Sequence, residues 1–122
     1  MDFKEYQKEA RKTAIYMKGF EKKNPGLKES IYRIVALSYV ANGLGEVGEI
    51  QGKVKKIIRD DLGVITDQHR KDLSKEIGDV LWYVSNMCTE LDLDLEEVAK
   101  QNVEKLFDRK KRGVIRGSGD DR

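Results

Sequence analysis

Apolar residues recur every three or four positions along most of this 122-residue chain, and nowhere do they alternate with polar residues over a useful length. That period belongs to a helix that buries one face, so the chain is expected to be all-α. Pro25 is its one proline, and Asn24-Pro25-Gly26 is a clear internal break. Four helical segments are predicted. The first opens at Asp2, where Asp2 and Glu5 stand in capping-box spacing, and runs to about Phe20 with Phe3, Tyr6, Ala10, Ala14 and Met17 inward. A second, from about Ser30 to Arg59, carries Ile31, Ile34, Val35, Leu37, Leu44, Val47, Ile50, Val54 and Ile57. The third runs from about Asp67 to Leu91 with Leu73, Ile77, Val80, Leu81, Val84, Met87, Cys88 and Leu91 on its apolar face. A fourth starts at a second capping-box pair, Asp94 and Glu97, and continues through Val98, Val103, Leu106 and Phe107 to about Arg112.

Residues 1–112 read as a single domain. Residues 113–122, with three glycines and little apolar material, form either a disordered tail or a loop that orders on a ligand. Charged residues make up 38% of the chain and hydrophobic ones 39%, which is too polar for a membrane protein and too apolar for a disordered one. No secretory leader is evident at the start, so a cytoplasmic location is the default expectation. The net charge of +2 gives no global argument for nucleic-acid binding. With one cysteine, Cys88, and one histidine, His69, neither an intrachain disulfide nor a Cys/His zinc site can form. Any metal must be held mainly by carboxylates, which favour hard ions such as magnesium or manganese.

The informative feature is a pair of acidic doublets, Glu46-Val47-Gly48-Glu49 and Glu76-Ile77-Gly78-Asp79. Each is spaced i, i+3, so both acids of a doublet leave one helix face. They lie among core-facing residues, and four like charges near a helix interface need compensation. If the second and third helices pack antiparallel, the doublets face each other and can hold one or more divalent cations. Taken singly, either doublet reads more readily as an ordinary solvated helix face; it is the two together, with glycine at the third place of each, that point to a site. A di-iron centre is disfavoured, because no Glu lies three residues before His69. Gly43, Gly45, Gly48 and Gly52 inside the second helix cost up to about 1 kcal/mol each relative to alanine, which suits a close approach of a helix or ligand.

The run Gly43-Leu44-Gly45-Glu46-Val47-Gly48-Glu49-Ile50, followed after 26 residues from Glu49 by Glu76-Ile77-Gly78-Asp79-Val80-Leu81-Trp82-Tyr83, resembles the MazG-like, all-α nucleoside triphosphate pyrophosphohydrolases. The resemblance covers the chain from the second helix onward. It implies a four- to five-helix antiparallel bundle completed by dimerisation, as a homodimer or a dimer of dimers. It further implies hydrolysis of a nucleoside triphosphate to the monophosphate and pyrophosphate, with magnesium, or manganese in its place, held by Glu46, Glu49, Glu76 and Asp79. Glu49 is the acid chosen to orient or deprotonate the attacking water. A triphosphate brings roughly four negative charges to four carboxylates, so divalent ions and basic side chains are both required. Lys53, one turn beyond Glu49, and the series Asn102, Lys105 and Arg109 are the candidate phosphate contacts, with a solvated face as the alternative. Tyr83, one turn after Asp79, is a candidate sugar or phosphate contact, with buried packing as its alternative.

The remaining residues are read blandly. Trp82 is assigned to the core or a subunit interface, Cys88 to the core as a small hydrophobe, and His69 to a structural or solvated position. The run Arg109-Lys110-Lys111-Arg112 suits a helix C-terminus. It also supplies the rival reading, a non-catalytic helical module that binds nucleic acid or a protein through this basic segment.

Overall fold

The computed structural model describes residues 1–122. It contains α1 (Phe3–Lys12), α2 (Lys18–Lys23), α3 (Glu29–Gly43), a short 3₁₀ turn (Leu44–Glu46), α4 (Val47–Asp61), α5 (Asp67–Glu90) and α6 (Leu95–Lys111). No strand is present, so the all-α expectation holds. None of these helices is long and apolar enough to cross a membrane. The central element is α5, against which α1, α3, α4 and α6 all pack.

Two of the four expected helices are broken. The first ends at Lys12 rather than near Phe20, and the chain resumes as α2 only at Lys18. The reason lies in side chains that compete with the helix ladder. The Thr13 hydroxyl donates to the Ala10 carbonyl at 2.9 Å and accepts the Trp82 indole N–H at 2.9 Å. The turn then seats Tyr16 between its stacking partner Tyr39, with ring centroids 5.1 Å apart, and the carboxylate of Glu90, to which its hydroxyl donates. The expected second helix is split by the 3₁₀ turn into α3 and α4. Gly43 lies at this break, beneath the Tyr83 ring, and glycine is a weak helix former. Only Gly43 shows the close approach anticipated for the glycines. At Gly45, Gly48 and Gly52 a Cβ would meet open space.

The other termini follow local chemistry. Asp2 caps α1 by accepting from the Glu5 N–H at 2.8 Å, and Asp94 caps α6 by accepting from the N–H groups of Glu96 and Glu97. The α5 start holds a capping box the sequence reading missed. Thr66 Oγ1 accepts from the His69 N–H, while His69 Nδ1 accepts from the Thr66 N–H in the place usually taken by Glu or Gln. With Nδ1 an acceptor, Nε2 carries the proton and faces Asp61 at 3.2 Å, so His69 is structural. Thr66→Ala is expected to lower stability by about 1 kcal/mol, read as a shift of the urea unfolding midpoint.

Only nine of 122 residues are buried, and several positions expected to face inward do not. Phe3, Ile31, Ile34, Val47, Val54, Ile77, Leu91, Val98, Val103, Leu106 and Phe107 are exposed. The apolar period is helical as expected, but one chain supplies too few neighbours to cover every apolar face. The buried positions include Ala10, Ala36, Val40, Cys88 and Leu95, which lie on α1, α3, α5 and α6. Gln7 ties three of these elements together. Its amide donates to Thr89 Oγ1 and the Leu93 carbonyl, and its Oε1 accepts from the Leu95 N–H.

Candidate metal centre

The 3₁₀ turn leads directly into α4 and leaves Glu46 and Glu49 one turn apart at its start, while Glu76 and Asp79 lie midway along α5. The two helices are joined through residues 62–66 and pack side by side, which brings the doublets together. One carboxylate oxygen from each of Glu46, Glu49 and Glu76 lies within 4.8 Å of the other two. Asp79 stands outside that triad but lines, with Glu46, Trp82 and Tyr83, an adjoining cleft of about 350 Å³.

The electrostatics of the triad are those of under-compensated acids. The negative charge of neighbouring Glu49 holds the Glu46 carboxyl above the usual carboxylate range, with desolvation and the charges of Glu76 and Asp79 adding to it. Glu76 is the most enclosed of the three, its side chain only 14% exposed. It is paired with Lys53 Nζ at 2.7 Å, and this hydrogen bond raises the Lys53 pKa. Glu46, Glu49 and Asp79 form no ion pair, so one cation serves four carboxylates. Oxygen-only donors carrying this excess of negative charge suit a hard divalent cation.

The aromatic side of the site is organised around Trp82. Its ring meets Tyr83 edge-on at 5.1 Å and Tyr16 at 6.1 Å, and its N–H is held by Thr13. Trp82 is half-buried and lines the cleft beside Glu46 and Asp79. Sequence reading placed it in the core or an interface; the signal available was its position three residues after Asp79, on the same helix face. Burial pushes the Tyr83 hydroxyl up, with the nearby charges of Glu46 and Asp79 acting the same way. Cys88 is buried, and desolvation raises its thiol pKa, as befits a small hydrophobe and not a nucleophile.

The basic residues of α6 do not join the carboxylates. Asn102 is exposed, and Lys105 and Arg109 turn toward Asp120 of the C-terminal segment, at 4.0 and 3.7 Å from its Oδ1. Arg112 pairs with Asp108 at 2.8 Å. The C-terminal segment therefore folds back on α6, an arrangement that only the glycines at 113, 117 and 119 hinted at.

The family model of the MazG nucleotide pyrophosphohydrolase domain matches residues 36–114, a span that includes all four acids, Lys53, Tyr83, Asn102, Lys105 and Arg109. The chain is also 51% identical over 118 residues to the Gene 37 protein of Mycobacterium phage L5, a match covering 96% of each. No solved structure matches it. The matched span starts within α3 and runs past the end of α6, so it takes in the helix pair that carries the acids as well as the acids themselves, and on that ground the chain belongs to the family of MazG nucleotide pyrophosphohydrolase domains.

Proposed function

We propose that this protein hydrolyses ribo- or deoxyribonucleoside triphosphates to the monophosphate and pyrophosphate, in nucleotide-pool cleaning or control of nucleotide levels. The observation that carries the reading is the convergence of Glu46, Glu49 and Glu76 within 4.8 Å with a single lysine as counterion. Divalent ions bound by these three acids and Asp79 would offset the charge of the triphosphate and of the transition state. Glu49 is exposed and without an ion pair, which leaves its carboxylate free to orient a water and accept its proton. Lys53 is the cation already paired with the triad and takes phosphate oxygens; Asn102, Lys105 and Arg109 of α6 stand apart from the carboxylates and are assigned further phosphate contacts on the family resemblance alone. Tyr83 lines the cleft beside Glu46 and holds the sugar or a phosphate.

A homodimer or dimer of dimers belongs to the same proposal. Ile34, Ile58, Ile77 and Phe107, on α3, α4, α5 and α6, are each more than half exposed, apolar area of the kind that a second copy would cover. Light scattering on the purified chain is expected to give at least twice the 14.0 kDa of one chain.

The deciding experiment is a panel of ribo- and deoxyribonucleoside triphosphates with magnesium, with all phosphate products resolved. Monophosphate and pyrophosphate are expected, lost on chelation and restored by magnesium or manganese. Release of orthophosphate would assign a different hydrolysis, and no turnover with either metal would overturn the enzymatic reading.

A further inference from the structure

We propose that residues 113–122 form a strap that competes with substrate phosphates for Lys105 and Arg109, the Asp120 carboxylate standing in the phosphate's place. The inference rests on the phosphate-contact reading of those two residues. Its first support is the way the segment is built to return. Gly113, at φ +72°, ends α6 in a Schellman arrangement, with its N–H on the Lys110 carbonyl and the Val114 N–H on the Arg109 carbonyl. Gly117 and Gly119, at φ +140° and +85°, make the further reversals that L side chains rarely allow. The loop is then closed by Arg122, whose guanidinium donates to the carbonyls of Val114 and Ile115. These turns bring Asp120 back over α6.

The second support is the state of Arg109. It is 4% exposed, the one charged residue buried in the chain, yet its charge is poorly matched. Nη2 donates to the Asp120 backbone carbonyl at 2.6 Å and stands 3.7 Å from the carboxylate, while Nε has no partner. A guanidinium offers five N–H donors in a planar fork, and burying it with one good hydrogen bond is unfavourable. A phosphate group, with several charged oxygens, fills that fork and reaches Lys105 as well. The Asp120 side chain, by contrast, is 92% exposed and 3.7 to 4.0 Å from its two cations. The Lys105 pair is exposed on both sides and therefore weak, and at 3.7 Å the carboxylate makes no hydrogen bond to Arg109, so it is readily displaced. While it stays, only the fraction of molecules with the strap released is competent at this position, and apparent substrate affinity falls by that fraction.

The test compares Asp120→Asn, a chain ending after Val114 so that the α6 cap is kept, Arg109→Gln, Lys105→Gln, and Asp120→Asn combined with each of the latter two. Two quantities are read: KM and kcat for the best triphosphate of the panel, and the Kd of inorganic tripolyphosphate by calorimetry with magnesium present. Asp120→Asn and the shortened chain are each expected to lower KM and Kd by about two- to fivefold with kcat unchanged. The gain is expected to vanish in the Arg109→Gln background. Lys105→Gln, at an exposed position, gives the same comparison where Arg109→Gln disturbs the fold. Unchanged or raised KM and Kd in both strap variants, while Lys105→Gln or Arg109→Gln weakens binding, would overturn the strap and leave the phosphate reading standing. If neither cation variant alters tripolyphosphate binding, the phosphate reading fails and the strap with it.

Discussion

Glu49→Gln is expected to lower kcat by about a thousandfold while leaving the fold intact. The substitution keeps the size and hydrogen-bonding reach of the side chain and removes its charge and its basicity. Glu49 is exposed and makes no ion pair, so no tertiary contact is lost. Removing its charge also removes the main cause of the raised Glu46 pKa. Because Glu46 binds its proton more tightly in the folded chain than in the unfolded one, its contribution to metal-free stability is present in acid and lost as pH rises through the folded pKa. In Glu49→Gln this loss is expected to shrink, so the metal-free variant should unfold at the same midpoint as the parent or a higher one near neutral pH. Product chromatography for kcat and unfolding midpoints at acid and neutral pH, both without metal for the latter, check the two halves. A stable variant that keeps more than a tenth of the activity would remove Glu49 from the proton-accepting role.

Gly43→Ala is expected to reduce kcat/KM by about a hundredfold and to cost about 1–3 kcal/mol of stability. A Cβ at this position would lie 2.1 Å from Tyr83 Cε1 and 2.2 Å from Cδ1, far inside any van der Waals contact. For the ring to step aside it must give up its edge-on contact with Trp82, at 5.1 Å. Either Tyr83 leaves the cleft it shares with Glu46 and Asp79, or the 3₁₀ turn that carries Glu46 is displaced. Both outcomes disturb the site. Gly52→Ala is the control, since its Cβ would enter open space within α4; there the substitution is expected to be neutral or to stabilise by up to about 1 kcal/mol. Activity and urea midpoints of the two variants, measured side by side, separate the close approach of Tyr83 from the general effect of replacing a helical glycine. Equal behaviour of the two would show that Tyr83 does not depend on Gly43.

The acids were readable in advance because E-x-x-E and E-x-x-D state a helix face by spacing alone. Which of them converge was not readable: Glu46, Glu49 and Glu76 form the triad and Asp79 the cleft wall because of the way α4 lies along α5. Trp82 shows the same limit. Its spacing from Asp79 places it near the site, yet its role follows from Thr13 and Tyr16, residues far away in the chain. Lys105 and Arg109 were legible as basic groups on one helix face, but the carboxylate beside them comes from Asp120, eleven residues beyond Arg109 and reached only through glycine turns.

By itself, the sequence determined the helical class, the extents of α5 and α6, the caps at Asp2 and Asp94 and the two carboxylate doublets. These are short-range properties, set by side-chain spacing, cap chemistry and periodicity within one or two turns. Tertiary structure decided the breaks after Lys12 and at Leu44–Glu46, the exposed apolar faces, the triad and the returning C-terminal segment. Helix propensity amounts to a few tenths of a kcal/mol per residue. A Trp82 indole bonded to Thr13 or a Tyr83 ring pressed on Gly43 outweighs it, and those partners are chosen by how distant helices pack.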